Sequence, residues 1–155
     1  MQITYSMDCA ETSYSCSAMP DRLAQTLPLH VRRCGMFDCG PNYYTRRSGL
    51  ADYLLLYTID GCGELECGEV VYALTPGTAA VVDCMKYHYY RTATNNRWRF
   101  FFVHFQGHME GFAPILTQQG SIEVTERAEF EKTFDRLISV VRDGAPTASI
   151  TAIFC

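Results

Sequence analysis

RWRFFFVHF, residues 97–105, combines five aromatic rings with a histidine in nine residues and is the stretch that decides the fold. Successive side chains of a β-strand point to opposite faces, so a strand here divides the residues into two sets. One face carries Trp98, Phe100, Phe102 and His104, and the other carries Arg99, Phe101, Val103 and Phe105. Both faces are largely apolar, which predicts a strand covered on both sides in a sandwich or barrel whose outer surface is also packed.

Short segments of similar character precede this stretch. They are rich in Val, Ile, Tyr and Phe and are separated by turn residues such as Asp60-Gly61 and Pro76-Gly77. Their spacing is typical of a meander or a barrel. We therefore predict strands at residues 30–39, 52–59, 63–67, 69–74, 78–84, 88–94 and 97–105.

The pattern changes to helix after residue 107. HMEGFAPIL (108–116) predicts a short helix and SIEV (121–124) a last short strand. A longer amphipathic helix is predicted over 126–143, because its apolar residues recur at helical spacing and form one stripe that suits the outer face of the barrel. The stripe consists of Phe130, Phe134, Leu137, Ile138 and Val141.

A second helix is predicted after Pro146, with Ile150, Ile153 and Phe154 on one face, and the sequence stops at Cys155. A helix of about two turns is unstable alone. We therefore expect the native chain to continue or a partner to cover this face. Residues 1 to about 28 show no clear periodicity and suit an N-terminal arm or a poorly ordered lead-in.

Composition and charge exclude several classes of function. A net charge of −4 and a pI near 5.5 leave no positive excess for binding nucleic acid. The N-terminus lacks the features of a secretion signal, and no apolar run reaches the roughly 20 residues that a membrane span needs. We expect a cytoplasmic protein that does not associate with membranes, with its eight cysteines reduced.

Signals for a metal site or a catalytic site are weak. Cys34 and Cys39 are five residues apart, as are Cys62 and Cys67, and an odd separation on one strand sends two side chains to opposite faces. We interpret these cysteines as small buried hydrophobes. His88 and His104 lie on different predicted strands without further metal ligands nearby, and no nucleophile motif is present. No metal and no cofactor are expected.

The two sets of rings leave two interpretations open. They fill the core, or one face lines a small-molecule pocket. Trp98 and Phe100 share a face with His104, beside a strand that carries His88 and Tyr89. An apolar cavity with a few convergent polar groups is what a small-molecule site needs.

Residues 46–107 resemble the N-terminal effector-binding and dimerisation domain of AraC-family transcription regulators. The matching features are ordered along the chain: an Arg before a Tyr-Leu-Leu strand, a Gly-x-Gly hairpin, Tyr-x-Leu-x-Pro-Gly, a His-Tyr pair, and a Trp followed by an aromatic strand that ends in His-Phe-x-Gly. In this sequence they read RR (46–47), DYLLLYTIDGCGELECGEVVYALTPGTAAVVDC (52–84) and HYYRTATNNRWRFFFVHFQG (88–107).

The resemblance implies a mostly β fold, a cupin-like barrel (double-stranded β-helix or jelly roll) followed by C-terminal helices. The domains would be an arm at 1–28, a ligand-binding barrel at 29–125 and a helical dimerisation segment at 126–155. It also implies a bacterial, non-enzymatic sensor that forms a homodimer through these helices and binds DNA only through a C-terminal helix-turn-helix domain outside this sequence. Its effector would be a small molecule such as a sugar or a carboxylate.

Carrying the family's sugar-contacting positions across places Arg46, Tyr89, Phe100 and Phe102 in the pocket. Together with the two residues suggested by the aromatic strand and its neighbour, the expected ligand-binding set is Arg46, His88, Tyr89, Trp98, Phe100 and Phe102. The alternative function is a metal-dependent cupin enzyme, an isomerase or a dioxygenase. The histidine and glutamate metal motif of catalytic cupins is not found in this sequence, which favours the sensor.

Overall fold

Two antiparallel β-sheets face each other, and one long helix packs against the outside of the second sheet, in a computed structural model that describes residues 1–20, 22, 24–108, 111 and 113–144. A single 3-10 turn occupies Ala24–Thr26. The strands and helices are β1 (Gln2–Ser6), β2 (Tyr14–Ser17), β3 (Leu29–Cys39), β4 (Tyr44–Ser48), β5 (Tyr53–Gly61), β6 (Gly63–Cys67), β7 (Val70–Leu74), β8 (Thr78–Asp83), β9 (His88–Thr92), β10 (Trp98–Gly107), α1 (Ala113–Gln118), β11 (Ile122–Glu123) and α2 (Arg127–Arg142).

The first sheet has the strand order β1-β4-β9-β6-β7, and the second has the order β11-β8-β5-β10-β3-β2. Neighbouring strands within the described residues pair antiparallel. The predicted fold class, a mostly β cupin-like barrel followed by a helix, is confirmed. Each of the seven predicted strands and the short strand at 121–124 is present, and α2 lies within the predicted 126–143. The short helix α1 begins later than the predicted 108–116.

Strand β10 is buried on both faces, as its alternation predicts. Trp98, Phe100 and Phe102 belong to the core between the two sheets. Phe101 and Val103 belong to a second core between the second sheet and α2. The predicted apolar stripe of the helix, with Phe134, Leu137, Ile138 and Val141 buried, covers this outer face.

The interior face of β10 is held in place by its first residue. Trp98 is fully buried, and its Nε1 donates a hydrogen bond of 3.0 Å to Thr58 Oγ1 on β5. The indole lies against Gly63 on β6, where a Cβ atom would approach the ring to 2.4 Å. Glycine at position 63 therefore makes room for the tryptophan, and the tryptophan finds the polar partner that a buried N–H requires.

The strands β1, β2 and β4 were not predicted. β1 pairs with β4 at the edge of the first sheet, and β2 pairs with the predicted strand β3 at the edge of the second. The N-terminal segment therefore adds an edge strand to each sheet. Its Ser, Thr and Cys content hid the alternation of Ile3, Tyr5 and Met7, which has the strand period of two.

The prediction that Cys34 and Cys39 face opposite ways is confirmed. Both lie on β3, with Cys39 in the core between the sheets and Cys34 in the core under α2. Each faces a thiol of the N-terminal segment: Cys9 Sγ lies 3.0 Å from Cys39 Sγ, and Cys16 Sγ lies 3.5 Å from Cys34 Sγ. Within the described ranges, no group of three or more His, Cys, Asp and Glu residues is arranged to hold a metal ion.

The predicted second helix after Pro146 lies outside the described residues. In the part of the chain that the structure describes, no helix has the length and apolar character needed to cross a membrane.

We expect Phe134→Ala to destabilise the fold by about 3–5 kcal/mol, because it empties a well-packed aromatic site. The Phe134 ring stacks on Phe101 with ring centroids 5.0 Å apart and contacts Tyr57 at 6.2 Å. Urea unfolding measures the change in free energy. The exposed Arg136→Ala on the same helix is the control and is expected to change it by less than about 0.5 kcal/mol. Equal effects of the two variants would show that α2 is not anchored as described.

Candidate ligand-binding site

A cavity of about 340 Å³ lies between the two sheets, toward the His104 end of β10. Strands of both sheets contribute to its wall, and the N-terminal strand β1 with the residue after it lines one side. The lining residues are Ile3, Tyr5, Met7, Arg33, Phe37, Tyr43, Thr45, Arg47, Tyr90, Phe100, Phe102 and His104. The volume is at the lower end of the range typical of small-molecule sites.

Aromatic rings form the apolar wall of this cavity. Phe37 contacts Phe100 and Phe102, with ring centroids 5.9 Å and 4.8 Å apart. Trp98 stacks on the far side of Phe100 at 3.9 Å and is fully buried. The interior is therefore filled by side chains at the Trp98 end and open at the His104 end, so each of the two interpretations of the rings holds for one half of the barrel.

Two buried tyrosines and a threonine form a neutral polar patch. Tyr43, Thr45 and Tyr90 are all buried and line the cavity. Burial raises the pKa of both phenols above the ordinary value, so these hydroxyls are neutral at physiological pH. The patch can donate and accept hydrogen bonds without adding charge.

Arg47 and His104 meet at the other end of the cavity. Arg47 Nη1 lies 3.3 Å from His104 Nε2. A guanidinium can only donate, so His104 Nε2 accepts this hydrogen bond and the ring proton is on Nδ1. Nδ1 lies 3.6 Å from Asp52 Oδ2, and Asp52 Oδ1 accepts a hydrogen bond of 2.7 Å from Gln106 Nε2.

His104 is held in its neutral form. Burial lowers its pKa, and the positive charges of Arg47 and Arg33 lower it further, to about 3. Arg33 is opposite His104 in the pairing of β3 with β10. This end of the cavity therefore has a positive field that comes from guanidinium groups and not from histidine.

A second cavity of about 410 Å³ adjoins the first. The two share Ile3, Arg33, Arg47 and His104 in their walls. The second is the more polar neighbour, because it also reaches Arg32 and Asp52. Arg33 and Arg47 therefore lie at the boundary between the first cavity, which is aromatic and is called the inner cavity below, and the second, more polar cavity, which is called the outer cavity.

Of the six residues expected to bind a ligand, the structure brings Phe100 and Phe102 to the cavity. Trp98 lies behind Phe100. His88 is fully buried, with its Nδ1 3.1 Å from Lys86 O and its ring stacked on Tyr90 at 6.0 Å. Neither Trp98 nor His88 lines the cavities at the His104 end.

Arg46 and Tyr89 lie on the outer face of the first sheet and do not reach the cavity. They are opposite each other in the pairing of β4 with β9, and Arg46 Cζ lies 4.6 Å from the centroid of the Tyr89 ring. The physical reason is strand alternation: on each strand the next residue, Arg47 or Tyr90, faces inward. A shift of one position moves a side chain to the opposite face.

The residues missed by sequence reasoning fall into two groups. Thr45 and Arg47 lie on β4 and Tyr43 directly precedes it, in a segment where the sequence predicts no strand. Ile3, Tyr5 and Met7 lie in the N-terminal segment, for which the sequence predicts an arm or a lead-in. Ile3, Tyr5 and Met7 alternate with polar residues in ITYSM (3–7), and this period of two is the signal for β1. NYYTRRS (42–48) shows no such alternation, so the sequence has no comparable signal for β4.

The sequence from residue 30 to residue 153 matches the AraC-like ligand binding domain family. The chain belongs to this family. No curated protein sequence matches the chain.

Several solved structures are similar to this AraC-like ligand binding domain. YhaK from Escherichia coli superimposes with a TM-score of 0.60 at 11% identity over 74% of this chain, which spans 52% of that structure. The Cnp3 cupin domain of Schizosaccharomyces pombe has a TM-score of 0.48 at 9% identity, covering 72% of this chain and 77% of that one. The cupin domain of an XRE family transcriptional regulator from Enterobacter cloacae has a TM-score of 0.46 at 15% identity, covering 61% and 96%.

The buried neutral histidines predict a loss of stability in acid. Burial lowers the pKa of both His104 and His88 in the folded state, whereas the unfolded chain protonates histidine below about pH 6.5. As the pH falls below that value the unfolded state binds more protons, so the free energy of unfolding decreases until the folded-state pKa is reached. His104→Gln should therefore lose roughly 2 kcal/mol less than the wild type between about pH 7 and pH 4.5.

Urea unfolding at the two pH values measures this difference. The exposed His108→Gln is the matched control and should behave like the wild type. An equal loss of stability in the wild type and His104→Gln would show that His104 is not held neutral in the fold.

Proposed function

We propose that this AraC-like ligand binding domain is the small-molecule-sensing and dimerisation part of a bacterial AraC-family transcription regulator. The observation that supports this best is the cavity between the sheets, with an aromatic wall and convergent polar groups. A separate domain would bind DNA. The domain itself has a net charge of −4, which is unfavourable for contact with phosphates.

The chemistry of the cavity supports binding without catalysis. General acids and bases work best with a pKa near the operating pH. The shifted groups in this cavity move away from neutrality: the pKa of His104 falls to about 3, and the pKa values of Tyr43 and Tyr90 rise. These residues suit hydrogen bonding to a ligand that is bound and released without chemical change.

Two elements next to the cavity provide a route for signalling. β1 lines one side through Ile3 and Tyr5, and it is an edge strand with mostly exposed side chains. α2 packs on the opposite face of β10 from the cavity. A ligand would shift the position of these elements by as much as its differential affinity for the two arrangements.

The dimer that we propose uses residues after α2. The apolar stripe of α2 is buried against its own sheet, so that face is not available to a second subunit. The outer face of the helix carries charged residues such as Lys132 and Arg136. The apolar side chains at 150, 153 and 154 are the better candidates from the sequence.

An effector should raise the thermal stability of the domain, since binding to the folded state alone contributes about 2.7 kcal/mol at a concentration 100 times the Kd. A thermal-shift screen of sugars and carboxylates would identify it. Phe37→Trp, which enlarges a side chain in the cavity wall, should weaken binding by about tenfold or more through steric overlap. Val71→Trp, at an exposed position on β7, is the matched control. Binding that is unaffected by Phe37→Trp would place the ligand elsewhere.

Sedimentation equilibrium tests the dimer. We expect the wild type to dimerise and Ile153→Asp to weaken the dimer, because it places a charge on the apolar face of the C-terminal segment. Arg136→Glu, on the exposed side of α2, should leave the association unchanged. A dimer lost only in Arg136→Glu would move the interface to α2, and a wild type that stays monomeric would contradict the dimer.

A further inference from the structure

We infer that the effector is a small carboxylate with an apolar body, whose negative charge pairs with Arg47 and Arg33. This inference rests on the proposed sensing function, because it names the chemical class that the same cavity would take. Arg47, not its neighbour Arg46, is the residue that anchors the ligand.

Arg47 carries a positive charge into the wall of the cavity without an anionic partner. Its side chain is half-buried, and its Nε is buried without a hydrogen-bond partner within the described residues. Its hydrogen bond through Nη1 goes to His104, which is neutral. No carboxylate of the described residues lies within 4.0 Å of the guanidinium nitrogens of Arg47. A cation in such a position is stabilised by an anion supplied from outside.

The balance of charge at the boundary between the two cavities favours an anionic ligand. Arg33 and Arg47 line both cavities, and Arg33 Nη2 donates a hydrogen bond of 2.8 Å to Ser15 Oγ, a neutral partner. Asp52 is the acidic residue that lines the outer cavity and is buried. Arg32 also lines the outer cavity, so the guanidinium groups outnumber the carboxylate and a net positive charge is left for the ligand to neutralise.

The hydrogen-bonding groups of the inner cavity favour a carboxylate over a polyol. Among the residues that the structure describes, its lining includes no Asp, Glu, Asn or Gln. The available donors are guanidinium N–H groups and neutral hydroxyls, and these hydroxyls are also the remaining side-chain acceptors, since His104 Nε2 is already engaged by Arg47. A carboxylate only accepts hydrogen bonds and pairs with guanidinium in a bidentate manner, whereas each sugar hydroxyl needs both a donor and an acceptor.

The walls define the rest of the ligand. Phe37, Phe100 and Phe102 form an apolar surface in the wall of the inner cavity, and the volume of about 340 Å³ limits the size of the ligand. The apolar body therefore lies in the inner cavity and the carboxylate at its boundary with the outer one. An aromatic ring or a short branched chain suits this space.

Calorimetry with two acids and their neutral amides tests the inference: benzoate against benzamide, and isovalerate against isovaleramide. In the wild type, each acid should bind about tenfold or more tightly than its amide, since a charge-assisted pair is worth more than a neutral hydrogen bond. Raising the salt concentration should weaken binding of the acids and not of the amides.

Arg47→Gln should remove the preference for the acids, with a loss of about tenfold or more in their affinity. Arg46→Gln is the matched control. It removes the same charge one residue away on the outer face of the sheet, so the preference should remain. If Arg47→Gln does not fold, Arg47→Lys keeps the charge but not the bidentate geometry, and it should retain part of the preference.

The outcomes separate the inference from the proposed function. Equal affinities for acid and amide in the wild type, or the same loss in Arg46→Gln as in Arg47→Gln, would overturn the inference. If an aldopentose binds in a manner sensitive to Phe37→Trp while neither acid binds, the sensing function stands and the carboxylate is excluded. If no compound of any of these classes binds in the cavity, both fail.

Discussion

The burial of β10 on both faces is the constraint on which the rest of the structure depends. A strand that is apolar on both sides can pair in either of two registers, because a shift of one residue exchanges the faces. Polar contacts at Trp98 select one of them: the indole N–H needs Thr58 Oγ1, and the indole ring needs the space above Gly63. With Trp98 inside, Phe101 must point outward to the helix, where it stacks on Phe134.

Along the same strand, the barrel interior changes from a filled core at the Trp98 end to a cavity at the His104 end. At one end Trp98 and Phe100 stack closely and fill the space between the sheets. Six residues further along, the inward side chain is His104, and the facing strand presents Arg47. The cavity lies at this end, with Arg47 and His104 in its wall beside Phe37, Phe100 and Phe102. The aromatic wall of the cavity and His104 at its charged end thus both come from the inward-facing side chains of β10.

This arrangement also places the proposed ligand and the helix on opposite faces of a single strand. Phe102 lies on the cavity side and Val103 on the helix side. The N-terminal strand and the residue after it line the cavity from the first sheet through the exposed apolar residues Ile3, Tyr5 and Met7. In the sensing function that we propose, a ligand would stabilise β1 directly and α2 through β10. The second route requires β10 to adopt two positions, since a rigid strand would transmit nothing.

Hydrophobic alternation and helical spacing in the sequence by themselves determined the strands from residue 30 onward except β4, the two faces of β10, the helix on the outer face and the opposite orientations of Cys34 and Cys39. These follow from local periodicity, which each segment expresses alone. The tertiary structure decided which of two adjacent arginines faces the interior and which end of the barrel is filled. Arg46 and Arg47 are chemically identical, and only the pairing of β4 with β9 assigns Arg47 to the inside. The contribution of β1 was likewise decided by its pairing with β4, because a short polar strand is stabilised by its neighbour and not by its own composition.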